Sequence, residues 1–395
     1  MKIGIFGGSF DPIHLGHTRI INEAIIALQL DKMLIVPTKH NPWKEDSVAN
    51  NQQRIEMIQI ALKDNSKCEV CTLEIDRQDN KKNYTIDTIK ELKKIFVREK
   101  FDLIQYSTPN AALYASIAAK RAGCEIRNYH LMGLRYLGAK SIGRFILKEI
   151  EQIACYNSTS IECVSKSNLN LAINEKLFKS EKATVVWNGS SGGVDLKRFD
   201  YNKREIWRNT LRSELGYCDS DFIYGFIGRI TGDKGINELL AAFFSLKDNS
   251  KLILVGDVEN ESTLDTNLWE RAQNHPNILI HKAVRDVERY FALIDVLVLP
   301  SYREGFGNVV IEAGAVATPA ITSDIPGPID TIQKDITGFV VPMKNITSLA
   351  KTMKKIQTIN IKKMGYDSYK FVSTHFDSEI LNQKIAERKK ELLDI

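Results

Sequence analysis

The sequence predicts an α/β protein of two domains, on three observations. Strand-like apolar runs alternate with helix-like runs along most of the chain. Several of those strands end directly in small-residue loops. The 395 residues also exceed what one ordinary hydrophobic core organises.

Composition narrows the function. Lysine and arginine number 54 against 49 acidic residues, a net charge of +5. That mild excess suits phosphate-bearing ligands or an anionic membrane surface and gives no reason to expect nucleic acid. Six cysteines with no secretory leader point to reduced thiols in a cytoplasmic protein. No apolar run approaches the roughly 18–20 residues a membrane span needs, so any membrane contact is expected to be peripheral. Cys68 and Cys71 form a C-x-x-C, but the alternating run 68–75 reads as one strand and no second pair follows, so packing is favoured over zinc or redox chemistry.

The chain opens with an apolar strand over residues 2–6. Gly7 and Gly8 then let the backbone pass close to a ligand, and a helix is expected to start near Thr18. His14 and His17, three apart at that helix entrance, are placed to face a triphosphate together and to stabilise charge on a leaving pyrophosphate. A capping histidine beside a packed one, or a metal pair lacking further ligands, stands as the alternative.

Residues 101–105 and 125–129 read as strands around an alanine-rich helix over 110–122, so the α/β sheet is expected to continue without a linker. His130, expected just after a strand at a cleft mouth, is placed to touch an acceptor or donor sugar, although a lone histidine is more often structural. Lys140, Arg144 and Lys148 recur every four residues on one helix face, with Ile142, Phe145, Ile146, Ile150 and Ile153 on the other. The basic face either docks on anionic lipid or a lipid diphosphate, or is a solvated face over a core. Residues 189–199, rich in glycine and serine, read as a flexible loop before a new domain.

In the last two hundred residues, the strand over 222–228 ends at Gly228 and leads into Arg229 and Lys234 before a helix through about Phe244. Two cations around a tight loop at a strand's carboxyl end make a diphosphate clamp: arginine gives a forked contact, lysine a movable point charge. A further strand over 296–300 ends in a small-residue loop flanked by Glu304 and Glu312, seven apart. The helix that starts near Val309 points free N–H groups and a positive end at a phosphate, and the two carboxylates can accept hydrogen bonds from sugar and ribose hydroxyls. No DxD-type metal pair is evident, so protein cations are expected to replace a divalent ion, and no metal site or cofactor is predicted.

Two resemblances follow from these residues. Gly7-Gly8-Ser9-Phe10-Asp11-Pro12-Ile13-His14-Leu15-Gly16-His17 resembles the signature of nicotinate mononucleotide adenylyltransferases. Pro37 to Lys44 resembles that family's substrate loop, Arg54 and Met57 the start of its next helix, and Tyr84 to Thr88 a later helix start. This likeness covers about residues 1–97. The family's Gly-Ser-Asp and Ser-Thr-x-x-Arg segments are not found, and Asn157 to Glu162 supplies a Ser-Thr without an arginine in register. Adenylyl transfer is therefore expected to be very weak or absent.

From about residue 100 onward the order of elements resembles glycosyltransferase family 4, whose members have two Rossmann-like domains (GT-B-like). The first domain is then a mosaic of a nucleotidyltransferase half and a glycosyltransferase half. The expected boundaries are 1–97 for the nucleotidyltransferase-like segment, 98–200 for the rest of the acceptor domain, 201–375 for the donor domain, and 376–395 for a helix crossing back. The resemblance implies Glu304 at the donor sugar's hydroxyls, Phe306, Gly307 and Asn308 near the diphosphate, and Glu312 at the ribose. It also implies retention of configuration, a nucleoside diphosphate sugar as donor and a saccharide or lipid-linked acceptor; a cytoplasmic protein, docked at the inner membrane face where its basic helix face meets lipid, is the accompanying expectation from charge. Ala317 stands where that family usually has glycine, which is harmless only at negative φ. Adenylyl transfer to nicotinate mononucleotide, or nucleotide binding without turnover, are the competing readings.

Overall fold

The computed structural model describes residues 3–8, 10–27, 30–37, 49–72, 75, 85–139 and 141–394. Its elements up to the middle of the chain are β1 (Ile3–Gly8), α1 (Leu15–Ala27), β2 (Lys32–Pro37), α2 (Asn51–Leu62), β3 (Cys68–Val70), α3 (Thr85–Glu99), β4 (Leu103–Ser107), α4 (Pro109–Arg121), β5 (Ile126–Leu131), α5 (Ser141–Asn157), β6 (Ser160–Cys163), α6 (Lys166–Asn174) and β7 (Ala183–Thr184). There follow α7 (Arg204–Glu214), β8 (Ile223–Ile227), α8 (Ile236–Ser245), β9 (Lys251–Val255), α9 (Thr266–Gln273), β10 (Ile278–His281), α10 (Val287–Leu293), β11 (Val296–Leu299), α11 (Asn308–Ala315), β12 (Ala320–Ser323), β13 (Gly338–Val341), α12 (Ile346–Ile356), α13 (Ile361–His375) and α14 (Ser378–Leu392). Two compact units result: Met1–His130 with Glu149–Ile161 and Asn382–Ile395, and Leu131–Lys148 with Glu162–Leu381.

In the first unit β1, β2 and β3 form a parallel sheet in that order. Its core takes Ile21 and Ile25 from α1 and Ile58 and Leu62 from α2, each pair four apart and so on one helix face. They close with Phe10 over Met33 and Ile35 of β2. A reciprocal capping box starts α2: Asn50 accepts from the Gln53 amide at 2.9 Å, and Gln53 accepts from the Asn50 amide at 3.0 Å. Helix α1 begins three residues earlier than expected, because the His14 carbonyl already accepts from the amides of His17 and Thr18. The strand expected over 68–75 stops at Val70. The Cys71 amide still reaches Ile35 O, but the Ile75 amide then turns back to Thr72 O.

Strands β4 to β7 form a second sheet in that order, with β4 and β5 parallel from Leu103 opposite Ile126 to Ser107 opposite His130. The alternation of strand and helix is as expected, but among the described residues no ladder joins this sheet to β1–β3. The expectation of one continued sheet is thereby corrected: pairing between distant strands is not specified by local alternation.

The second unit holds a six-stranded sheet ordered β10-β9-β8-β11-β12-β13, with every ladder parallel. The unbroken apolar run of β11 is buried throughout, as a central parallel strand requires. Just before it, Asp295 accepts from Arg208 (2.5 Å), Arg212 (3.0 Å) and the Ile223 amide (2.8 Å), which ties the starts of β8 and β11 together. The chain steps outward from β8 to β10 and then returns to the other side of β8 at β11. That reversal opens a crevice at the carboxyl ends of β8 and β11.

Two further expectations are corrected, and the condition set on Ala317 is decided. The loop 189–193 lies within the second unit and is fastened there: Ser190 N donates to Val164 O, and Val194 exchanges backbone bonds with Phe376 and Ser378. On α5 the apolar face is largely uncovered, not packed on a core as the spacing implied. Arg144 and Lys148 pair with Glu175 at 3.5 and 2.8 Å and lie over the Tyr136 ring, while Ile142, Phe145, Ile146 and Ile153 are exposed. Glu175 pairs with both cations although Arg144 itself stays half exposed; Lys140 lies outside the described residues. Ala317 has φ 58°, because its amide closes the end of α11 onto Gly314 O before β12 begins. The positive φ that glycine would relieve is therefore present.

Candidate active site

The loops leaving β8 and β11 meet at the crevice. Gly235, at φ 76°, starts α8, and a Cβ there would stand 2.1 Å from Pro300 O, so only glycine lets the loops approach this closely. The Tyr302 amide donates to Asp233 O at 2.9 Å. This contact carries Lys234 of one loop to Glu304 of the other, with Nζ 2.6 Å from Oε1. Ser301 Oγ donates to the same oxygen at 2.9 Å.

Beyond Glu304 the chain turns through Gly307, at φ 97°, directly into α11. The first turn of a helix has N–H groups without intrahelical partners and a partial positive charge, which suits a phosphate. The turn is gripped from behind. Asn168, fully buried on α6, donates to Gly305 O at 2.7 Å, and the Phe306 ring is buried edge-on against Phe376. Asn308 accepts from Ser190 Oγ at 3.1 Å and donates to Ser191 Oγ at 2.7 Å, so its side chain is held as well.

A cavity of about 380 Å³ opens here, lined by Gly228, Arg229, Lys234, Glu304, Phe306, Gly307, Asn308 and Val309 among the residues singled out from sequence. Met132, Val164 and Ser191 also line it and were not foreseen. Ser191 carried a signal, since it belongs to the Gly-Ser loop noted above, but nothing local tells which helix that loop will meet. Arg229 is exposed and paired with Glu259 at 2.6 Å, a hydrogen bond that holds its pKa above the ordinary value.

Glu312 and His130 are not among the residues lining this cavity. Glu312 lies one turn along α11 from Asn308, where burial pushes its pKa up to about 6 against the opposing charge of Arg198. Arg198 is itself engaged with Glu288 at 3.0 Å and Arg285 O at 2.6 Å. His130 lies within β5, not after it as expected, and belongs to the first unit. The strand extends to Leu131 because its pairing with β4 runs on to Ser107.

In the first unit, Gly7 and Gly8 end β1, and Phe10 is buried against Phe6 and His17. His14 and His17 stack on each other, ring centroids 3.7 Å apart, and the His14 amide donates to His17 Nδ1 at 3.3 Å. Burial, then the nearby His14, lowers the His17 pKa. Ser9, the loop segment 38–44 and Tyr84 lie outside the described residues. Among the described residues, no group of three or more His, Cys, Asp or Glu is placed to hold a metal ion, and no helix is long and apolar enough to cross a membrane.

The family profile "Glycosyl transferases group 1" matches residues 208–370, and "Cytidylyltransferase-like" matches 5–135. The capsular polysaccharide biosynthesis glycosyltransferase CapM of Staphylococcus aureus is 34% identical over 300 residues, covering 74% of this chain and 77% of the relative. A probable nicotinate-nucleotide adenylyltransferase of Exiguobacterium sibiricum is 41% identical over 101 residues, 26% of this chain. The chain spans only about half of that relative's length, 52%. The crystal structure of Anabaena Alr3699/HepE in complex with UDP superposes with a TM-score of 0.74 at 18% identity, covering 99% of this chain and 100% of that one, which shows a GT-B-like fold. The long match to CapM and the profile over the crevice-bearing unit agree: the chain belongs to the group 1 glycosyltransferases, with a nucleotidyltransferase-like segment ahead of the sugar-transferring part.

Proposed function

We propose that this glycosyltransferase moves a sugar from a nucleoside diphosphate sugar to a saccharide or lipid-linked acceptor with retention of anomeric configuration and without a metal ion, in the manner of family 4. The observation that carries this reading is the Lys234–Glu304 pair, 2.6 Å apart, beside the N-terminus of α11. As the bond between the anomeric carbon and the β-phosphate oxygen breaks, negative charge grows on the leaving diphosphate. Arg229, Lys234 and the first amides of α11 are positioned to take it up. Glu304 accepts hydrogen bonds from sugar hydroxyls; Glu312, which stands off this cavity one turn along α11, would meet the ribose where the nucleotide runs beyond it. The acceptor hydroxyl attacks from the face the diphosphate leaves and passes its proton to the departing phosphate oxygen. A uridine nucleotide is the first donor to try, since the similar HepE structure holds UDP. The exposed apolar side of α5 supports a peripheral contact with lipid at the cytoplasmic membrane face.

Calorimetry with a panel of UDP and GDP sugars, followed by product detection on saccharide and lipid-linked acceptors, tests the reading. The anomeric coupling constant of the product reports the stereochemistry. An inverted product, or full dependence on an added divalent ion, would overturn those two parts.

The N-terminal segment is read as a nucleotide-holding fold that does not turn over. The half-length match to adenylyltransferases and the mutually stacked His14 and His17 favour this. Ordinary rates of pyrophosphate release from ATP and nicotinate mononucleotide would refute it.

A further inference from the structure

We propose that Ser301 is a positioning residue for sugar transfer, holding the Glu304 carboxylate toward the sugar once Lys234 has turned to the donor's diphosphate. This rests on the donor site proposed above. Ser301 Oγ and Lys234 Nζ donate to the same oxygen, Glu304 Oε1, at 2.9 and 2.6 Å. With Oε1 doubly engaged, Oε2 is the oxygen left to receive a sugar hydroxyl.

The two donors differ in what happens when substrate arrives. Lysine is a point charge on a flexible stem, and an incoming diphosphate offers it a second anion at the same place. The Ser301 hydroxyl has no such alternative. Its residue has no exposed surface, it follows the buried strand β11, and its neighbour Tyr302 is pinned through its amide to Asp233 O. A hydroxyl that water cannot reach keeps its protein partner, because an unpaired buried donor is costly. Ser301 is thus the fixed half of the clamp and Lys234 the movable half. Without Ser301, Glu304 loses its remaining restraint at the moment it must face the sugar.

The test uses the full chain and the nucleotide sugar that the wild-type protein turns over best in a UDP and GDP panel. For Ser301→Ala, the melting temperature and the Kd for the bare nucleoside diphosphate are expected to stay near wild type. Turnover and affinity for the nucleotide sugar are expected to fall about tenfold, the size of one lost hydrogen bond to a charged group. Ser301→Thr, which restores the hydroxyl, recovers most of the loss. In a Glu304→Ala background, which leaves Ser301 no carboxylate to hold, Ser301→Ala lowers nucleotide-sugar affinity no further, since the two residues act as one unit. If Ser301→Ala does not fold, Ser301→Cys, similar in size and a weaker donor, gives the same ordering. Unchanged turnover in the folded variant, or an equal loss in the Glu304→Ala background, overturns the proposal. A wild-type protein that binds no nucleotide sugar in the panel overturns the donor-site reading instead.

Discussion

Lys234 Nζ lies 2.6 Å from Glu304 Oε1 across seventy positions of sequence, and both side chains are only 15% exposed. Removing either partner leaves a largely buried charge without its counterion at the crevice where the diphosphate must bind. Lys234→Ala and Glu304→Gln are each expected to lower turnover on the order of a hundredfold or more while the fold persists. Steady-state kinetics beside circular dichroism melting checks this. A folded variant with near-wild-type turnover would remove the pair from the reaction.

Arg229 is the second cation of the proposed clamp, and Glu259 competes for it in this structure. Both are exposed, so the pair itself contributes little to stability. Glu259→Gln is expected to free Arg229 and tighten nucleoside diphosphate binding about threefold at low salt, with the gain fading at 1 M salt, where the screening length is about 3 Å. Calorimetry at the two salt concentrations measures it. Weaker binding in the variant would instead mean that Glu259 orients Arg229 for the ligand.

Ala317 sits at φ 58°, a conformation in which its Cβ crowds the following carbonyl. Ala317→Gly is expected to stabilise the protein by about 0.5–1 kcal/mol, the relief of strain being partly offset by the freer unfolded chain. Chemical denaturation gives the value, and a destabilised glycine variant would contradict it.

Glu151 is fully buried in the first unit. Tyr129 OH donates to its Oε1 at 2.5 Å, and its Oε2 has no hydrogen-bond partner among the described residues. Burial pushes its pKa from 4.5 up to about 7, against the hydrogen bond from Tyr129. The folded state therefore holds this proton more tightly than the unfolded chain. Its contribution to stability is fully present below pH 4.5 and is lost as pH rises through 7. Glu151→Gln is expected to flatten this slope and to be more stable than wild type at pH 8, by up to roughly 3 kcal/mol. Melting curves across that range decide; an unchanged slope would show that Glu151 stays ionised.

Much of the architecture was legible because it is written locally. The buried run before Pro300, the glycines after β8 and β11, and the Arg229 to Lys234 spacing mark strand ends and loops within a few residues, and the helix of α11 follows where expected. The faces of α5 were not legible. Periodicity separates its basic side from its apolar side but does not say which one meets Glu175. The role of Asn168 was equally hidden, since its contact with Gly305 O spans 137 positions.

By itself the sequence determined the secondary elements, the two family likenesses, and a short set of charged and small residues at strand ends, because side-chain period and backbone freedom are local properties. The tertiary structure alone decided that Lys234 meets Glu304, that Ser301 shares the same oxygen, and that Glu312 stands off the cavity. Those contacts depend on β8 and β11 being neighbours in a sheet whose order reverses between them, and strand order is set by packing and loop closure over long distances.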